Sequence, residues 1–249
     1  MMTKPKQVLV DGDPFAYRAA FSCENDPVED ALDKLDEILE QSLNEVMWEL
    51  DPEQYQVFLT GKGNFRYKYS ITHEYKGNRK NTEKPQHLQA IRQHMIDNWD
   101  AVVSKGEEAD DLCGIWATNY GKESIVISID KDMLQIPCSH YNPNKRTMTE
   151  MGEFEGLRFF YTQILTGDKA DNIIGLYGIG PKKADKILAD CTTEAGMYEE
   201  CLRSYGGDEA RVIENARLLC YWLFSAIASY FFSYIIHSFS SFRNESFMN

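Results

Sequence analysis

The stretch QVLVD (residues 7–11) is a short apolar, β-branched run that ends on an acid, the pattern of a buried strand. Three more runs read the same way: YQVFLT (55–60), DAVVS (100–104) and SIVISID (124–130), the last again ending on an acid. Between the first two, residues 28–50 place Val28, Ala31, Leu32, Leu35, Ile38, Leu39, Val46, Met47 and Leu50 at helical spacing, with charges on the other face. EEADDLCGIWATNYG (107–121) predicts a helix stopped by Gly121. Strands alternating with helices predict an α/β fold, with a mainly parallel central sheet and helices on both faces. Ligands of such sheets sit outside the carboxyl ends of the strands, where Asp11 and Asp130 are expected.

After residue 150 the pattern turns helical. EFEGLRFFYTQILTG (153–167) spaces its apolar residues as a helix ending at Gly167, and GIGPKKADKIL (178–188) reads as a tight glycine turn opening a helix, with Pro181 at a compatible first position. The chain has 249 residues, 43% hydrophobic and 26% charged, enough for one domain with a small appendage. Its net charge of −13 argues against coating nucleic acid through bulk charge. That charge is uneven: from Lys62 to Arg92 there are eight Lys or Arg against two Glu. Six scattered cysteines with no CxxC pair suit reduced thiols in a cytoplasmic protein, and MMTKPKQVLVDGD has too short an apolar run for a secretory signal.

The acids carry the chemistry. GEEADDLCG crowds Glu107, Glu108, Asp110 and Asp111 into five positions. DKD is expected to put Asp130 and Asp132 on one side of an extended strand end, and GDKAD to put Asp168 and Asp171 on one face of a helical turn. Taken singly, each is a surface charge or a helix cap. Together, Asp11, Glu108, Asp110, Asp111, Asp130, Asp132, Asp168 and Asp171 would repel unless cations bridged them. Mg²⁺ or Mn²⁺ suits such hard oxygen donors, and two ions about 4 Å apart can serve phosphodiester hydrolysis. The basic segment suggests the substrate: FRYKYSITHEYKGNRK (65–80) interleaves aromatic rings with Arg66, Lys68, Lys76, Arg79 and Lys80. Cations there would neutralise phosphates while rings stack on bases. Lys182, Lys183 and Lys186 add charge at the glycine turn, a candidate phosphate site.

In order and spacing, VLVDGDPFAYRA, YKGNRK, EADD, SIDKD and GDKADNIIGLYGIGPKKA resemble the 5′-nuclease superfamily, with its bacteriophage 5′–3′ exonucleases and flap endonucleases and the 5′-nuclease domain of DNA polymerase I. The resemblance covers about residues 7–190. It implies a PIN-like nuclease core (1–160) with an arch segment at about 62–92, a helix–three-turn–helix region (161–217) and an unmatched tail (218–249). It further implies a metal-dependent 5′–3′ exonuclease or flap endonuclease, acting on DNA with a single-stranded 5′ end or flap, on RNA–DNA hybrid, and alongside a DNA polymerase. The eight acids match the family's metal-binding carboxylates, holding two ions. Lys76 and Arg79 would contact the scissile phosphate, Tyr75 would stack on a base, and Arg66 and Lys80 would bind DNA. Gly178, Gly180, Lys182 and Lys183 would grip the duplex, with K⁺ on turn carbonyls.

Two departures stand out. The family's aspartate after the second strand is replaced by Gly61 or Lys62, with Asp13 the candidate to compensate. The run LLCYWLFSAIASYFFSYII (218–236) is uncharged and long enough to cross a bilayer, so a membrane anchor stands beside a buried helix as its explanation. Two other functions remain open: a catalytically impaired protein that binds branched DNA, motivated by the missing aspartate, and a PIN-type ribonuclease.

Overall fold

β1 (Gln7–Asp11) is buried at every residue and pairs in parallel with β2 (Tyr55–Lys62) on one side and β4 (Ser124–Ile127) on the other. β3 (Val102–Lys105) extends the sheet beyond β2, and β5 (Ser139–Asn142) extends it beyond β4, both in parallel. β6 (Thr147–Glu150) closes that edge antiparallel, giving the order β3-β2-β1-β4-β5-β6. These observations come from a computed structural model that describes residues 7–47, 51, 54–79, 82–120 and 123–221. It forms two units, one comprising the chain up to Phe65 and Arg79–Gly156, the other Arg66–Asn78 and the chain from Leu157 onward.

In the first unit, α1 (Gly12–Ser22), α2 (Val28–Asn44) and α4 (Leu88–Asn98) cover one face of the sheet. Their buried residues form one core with Val8, Val10, Val57 and Leu59. α2 shows why: Ala31, Leu35, Ile38, Leu39 and Leu43 recur at three- and four-residue intervals and are its buried side. α5 (Ala109–Tyr120) takes the opposite face, where Trp116 meets Phe58 edge-on with ring centroids 5.4 Å apart. Each fully buried Leu or Ile contributes about 2 kcal/mol, against a few tenths for an exposed pair such as Lys34–Glu37. Apolar burial therefore sets the layers.

The expected α/β sheet is present, with local differences. α1 was not expected; it follows β1 directly, with Pro14 tolerated in its first turn. The third strand starts at Val102 because Asp100 turns the chain with φ of 48°. α2 stops at Asn44, and residues 48–50 lie outside the described set, as does Gly121.

The second unit holds α3 (Arg66–Tyr69), α6 (Glu153–Thr166) from Leu157 onward, the ladder of β7 (Gly167–Asp168) with β8 (Ile173–Ile174), and α7 (Pro181–Ile187), α8 (Glu194–Ser204) and α9 (Glu209–Leu219). α6 stops where expected: Gly167 takes φ of +68°, and a Cβ there would lie 2.3 Å from the Ile173 carbonyl oxygen. Thr193 and Asp208 accept backbone N–H bonds as caps of α8 and α9.

Arg66, expected to bind DNA, is instead internal. Its side chain is 0% exposed, and its guanidinium donates to the carbonyls of Leu218 at 2.8 Å and Cys220 at 2.9 Å. Tyr221 lies against the same guanidinium, 5.3 Å away. Arg66 thus satisfies the Leu218 carbonyl of α9 and the Cys220 carbonyl just beyond it, and is unavailable to a phosphate. Residues 222–249, and with them most of the expected tail and its membrane alternative, lie outside the described set. Among the described residues no helix is long and apolar enough to cross a membrane.

Candidate metal centre

In parallel register Asp11 stands beside Phe58, and Val10 beside Ile127, so β1, β2 and β4 all deliver their carboxyl ends to one rim of the first unit. Asp11 is buried there and its Oδ2 accepts from Ser128 Oγ at 2.9 Å. Ser128 Oγ in turn accepts from the Asp130 amide at 3.0 Å. Asp130 does not continue the strand, which ends at Ile127. Its Oδ1 accepts the Asp132 amide at 2.8 Å and caps a 3-10 turn over Lys131–Gln135. The extended geometry expected of DKD is therefore corrected: a local aspartate cap outcompetes the strand. Asp132 is buried, with Lys131 Nζ 3.8 Å from its Oδ1.

The acids around the start of α5 also bond to the backbone. Asp111 Oδ2 accepts the Glu108 amide at 2.9 Å, Asp110 Oδ1 accepts the Asp111 amide at 2.8 Å, and Glu108 and Asp111 are both buried. Thr60 Oγ1 accepts the Ala109 amide at 3.0 Å, fixing the α5 start to the end of β2.

Electrostatics show which of these groups converge. The Asp11 carboxyl is pushed up to about 8, first by burial and then by Asp13, with Asp130 and Glu108 adding to the shift and the Ser128 bond opposing it. Beneath them the Cys113 thiol is held well above its usual range by burial, then by Asp11 and Asp110. Asp11, Asp13, Glu108, Asp110 and Asp130 therefore share one field. Among the described residues, no three His, Cys, Asp or Glu side chains close on a common point as a preassembled cage. The donor set is nevertheless all carboxylate oxygen, with a buried acid whose ionisation its neighbours oppose. A hard divalent cation fits that chemistry and would reverse the shift.

Asp13 does not stand free to replace the absent aspartate. It accepts the Thr60 amide at 3.0 Å and pairs with Arg92, which also donates to the Thr60 carbonyl. Nor can position 61 carry a side chain. β2 and β3 approach so closely that a Cβ on Gly61 would lie 1.9 Å from the Ser104 carbonyl oxygen, while the Gly61 amide donates to Ser104 Oγ at 2.9 Å. Gly61→Asp is accordingly expected to lower stability by about 2–4 kcal/mol without raising metal affinity. Urea unfolding and Mn²⁺ titration of the variant check both outcomes; tighter Mn²⁺ binding would show that the strands can part.

In the second unit, Asp168 and Asp171 flank a turn between β7 and β8 rather than a helical turn. Asp168 accepts the amides of Ala170 and Asp171, each at 3.0 Å, and Asn172 takes φ of 60°. Asp171 is buried; its Oδ2 accepts from Tyr75 Oη at 2.7 Å and lies 3.7 Å from Lys76 Nζ. The Lys76 amide donates to the Asp171 carbonyl at 2.8 Å, and Lys76 itself has φ of 52°. Tyr75 is 1% exposed, so its expected stacking on a base is corrected: burial against Tyr67 and the bond to Asp171 occupy the ring and the hydroxyl. Arg79 is exposed at the end of a short 3-10 turn, and Lys80 lies outside the described residues.

At the glycine turn, Gly180 precedes α7 with Pro181 at its first position, and Lys182 and Lys183 are exposed. Lys183 Nζ donates to the Gly178 carbonyl at 2.8 Å, so a carbonyl expected to hold K⁺ already carries an ammonium. Sequence reasoning missed Ser128, Thr60 and Arg92. Of these, Arg92 enters only as the end of the basic segment, and Ser128 stands two residues before Asp130 in SIVISID.

Comparison with known proteins places these features. The family model of the 5′–3′ exonuclease N-terminal resolvase-like domain matches residues 6–169. DNA polymerase I of Bacillus caldotenax is 32% identical over 227 residues, covering 81% of this chain and 25% of that protein. Flap endonuclease Xni of Shewanella loihica is 28% identical over 146 residues, covering 54% of this chain and 57% of that one. The chain thus spans a quarter of the polymerase and just over half of the flap endonuclease. Among solved structures, a mutant T5 5′-exonuclease aligns with a TM-score of 0.64 at 16% identity, covering 97% of this chain and 98% of that one. T5 5′-exonuclease with bound zinc aligns with a TM-score of 0.61 at 18% identity, covering 96% and 98%. At these identities the structures speak to the fold.

Proposed function

The chain belongs to the 5′–3′ exonuclease family, and on that premise we propose that it is a metal-dependent 5′–3′ exonuclease and flap endonuclease acting on DNA. The observation that carries this reading is Asp11, a carboxylate at the sheet rim pushed up to about 8, first by its burial and then by the acids Asp13, Asp130 and Glu108 around it. A rim that repels its own ionisation is built for cations. Asp11, Glu108, Asp110, Asp111, Asp130 and Asp132 in the first unit, and Asp168 and Asp171 in the second, are the proposed ligands of Mg²⁺ or Mn²⁺, two ions in all. When bound, the cations supply charge neutralisation at phosphate and activation of water. Lys76 and Arg79 offset charge on the scissile phosphate, and Lys182 and Lys183 hold duplex phosphates. The substrate is DNA with a free or flapped single-stranded 5′ end, with RNA–DNA primer hybrids as a second substrate. A DNA polymerase is the expected partner, and the cytoplasm the expected compartment.

A second reading, a branched-DNA binder with impaired catalysis, rests on Gly61, where neither a carboxylate nor space for one exists. One experiment separates the two. A 5′-end-labelled flap duplex is incubated with the protein in Mg²⁺, Mn²⁺, Ca²⁺ or EDTA. Short 5′-labelled products in Mg²⁺ or Mn²⁺, lost in EDTA, are expected. Tight binding in Ca²⁺ with no turnover in any metal would establish the second reading, and preference for single-stranded RNA would establish a ribonuclease.

A further inference from the structure

Glu214 lies on α9, beyond the residues matched by the family model, and its sequence context, EARVIENARLL, suggests a solvated helix face. It is instead 6% exposed. One carboxylate oxygen accepts the amides of Ile71 at 2.8 Å and Thr72 at 2.7 Å; the other accepts the Thr72 hydroxyl and Arg211, at 2.5 and 2.6 Å. Four acceptor bonds on one buried acid form a strong, directional clamp, because each is charge-assisted.

What the clamp holds is the segment leading to Lys76. Ile71 and Thr72 precede it by four or five positions. On its other side the loop is bound to the β7–β8 turn, through Tyr75 on Asp171, the Lys76 amide on the Asp171 carbonyl, and Asn172 on the Glu74 carbonyl at 2.8 Å. Arg211 closes the circuit: besides pairing with Glu214 it donates to the Ile174 carbonyl of β8 at 2.8 Å. Asn215, the next residue of α9, donates to the same carbonyl at 3.0 Å. Lys76 therefore sits within a ring running from α9 through residues 71–76 to the turn, along β8 and back to α9. The ring holds it in a left-handed backbone conformation, with φ of 52°, that a lysine in an untethered loop would leave.

We propose that Glu214 is a positioning residue for Lys76, fixing the lysine where it meets the scissile phosphate. This rests on the nuclease reading given above. A contact distant from the chemistry can matter this much because a displacement of about 1 Å at a reacting group costs on the order of a hundredfold in rate.

A double-mutant cycle tests it. Glu214→Ala, Lys76→Ala and the double variant are compared for kcat and KM on a 5′-flap duplex in Mg²⁺, with melting temperatures measured alongside. Glu214→Ala is expected to lower kcat about 30-fold with KM changed less than about threefold, and to cost less than about threefold more when Lys76 is already alanine. Glu214→Gln, which keeps an acceptor for the two amides, should recover most of the rate. If Glu214→Ala does not fold, Thr72→Ala at the exposed end of the clamp should show a smaller loss of kcat, again absent in the Lys76→Ala background. Losses that multiply independently, or an unchanged kcat, overturn the role of Glu214 while leaving the nuclease reading intact. A wild-type protein that cleaves in no metal overturns both.

Discussion

Asp11→Asn is expected to lower metal-dependent cleavage by about a thousandfold while making the metal-free protein more stable. The two effects share one cause. The Asp11 carboxyl titrates at about 8 in the fold against an ordinary 3.8. In the absence of metal, the folded state keeps this proton through neutral pH while the unfolded chain releases it near pH 4. The stability contributed by Asp11 therefore falls as pH climbs from about 4 to about 8, then levels off. Asparagine keeps an acceptor for Ser128 and does not titrate, so its advantage opens across that window. Each pKa unit is about 1.4 kcal/mol, and a gain of a few kcal/mol above pH 8 is expected. Mg²⁺ should stabilise the wild type and leave the variant nearly unchanged. Calorimetry at pH 5 and pH 8.5, with EDTA and with Mg²⁺, reads all of this. A variant less stable than wild type at pH 8.5 in EDTA would falsify the account of the rim.

Lys76→Ala should lower kcat by about a hundredfold and change flap binding in Ca²⁺ less than about threefold. The side chain is 21% exposed and rests 3.7 Å from Asp171 Oδ2, with the Tyr75 ring 5.1 Å from its ammonium. An exposed lysine bound only to phosphate would be lost mainly as affinity and salt dependence. In the role proposed for it, a partly buried lysine on a pinned backbone would act where charge builds up during reaction, so its loss should appear in rate. Single-turnover cleavage in Mg²⁺ and fluorescence anisotropy in Ca²⁺ separate the two. Equal losses in both would show that Lys76 is a binding residue alone.

The parts that the sequence made legible are those set by local pattern. The β-branched runs at 7–11, 55–60 and 124–130 became β1, β2 and β4, and their acids lie at one rim because parallel strands end on one side. The glycine stop at Gly167 and the Pro181 helix start follow from backbone sterics alone. The rest depends on partners far away in the chain. Arg66 looks like part of a basic strip until carbonyls at the end of α9 and just beyond it claim it, and Tyr75 looks like a stacking ring until Asp171 takes its hydroxyl. The DKD motif failed for a nearer reason: the Asp130 side chain bonds the Asp132 amide and winds the chain into a 3-10 turn. Gly61 reads as a lost ligand, yet the closeness of Ser104 makes it a packing requirement.

The bond from Arg66 to the Leu218 carbonyl spans 152 positions. During synthesis, the segment bearing Lys76 leaves the ribosome long before the helix that anchors it exists, since translation adds only about 5–20 residues each second. The first unit has its sheet by residue 150, but the second must wait for nearly everything that follows. An unfinished chain would then hold the rim acids before the Lys76 segment is seated, so that on the nuclease reading proposed above, activity would await the emergence of α9.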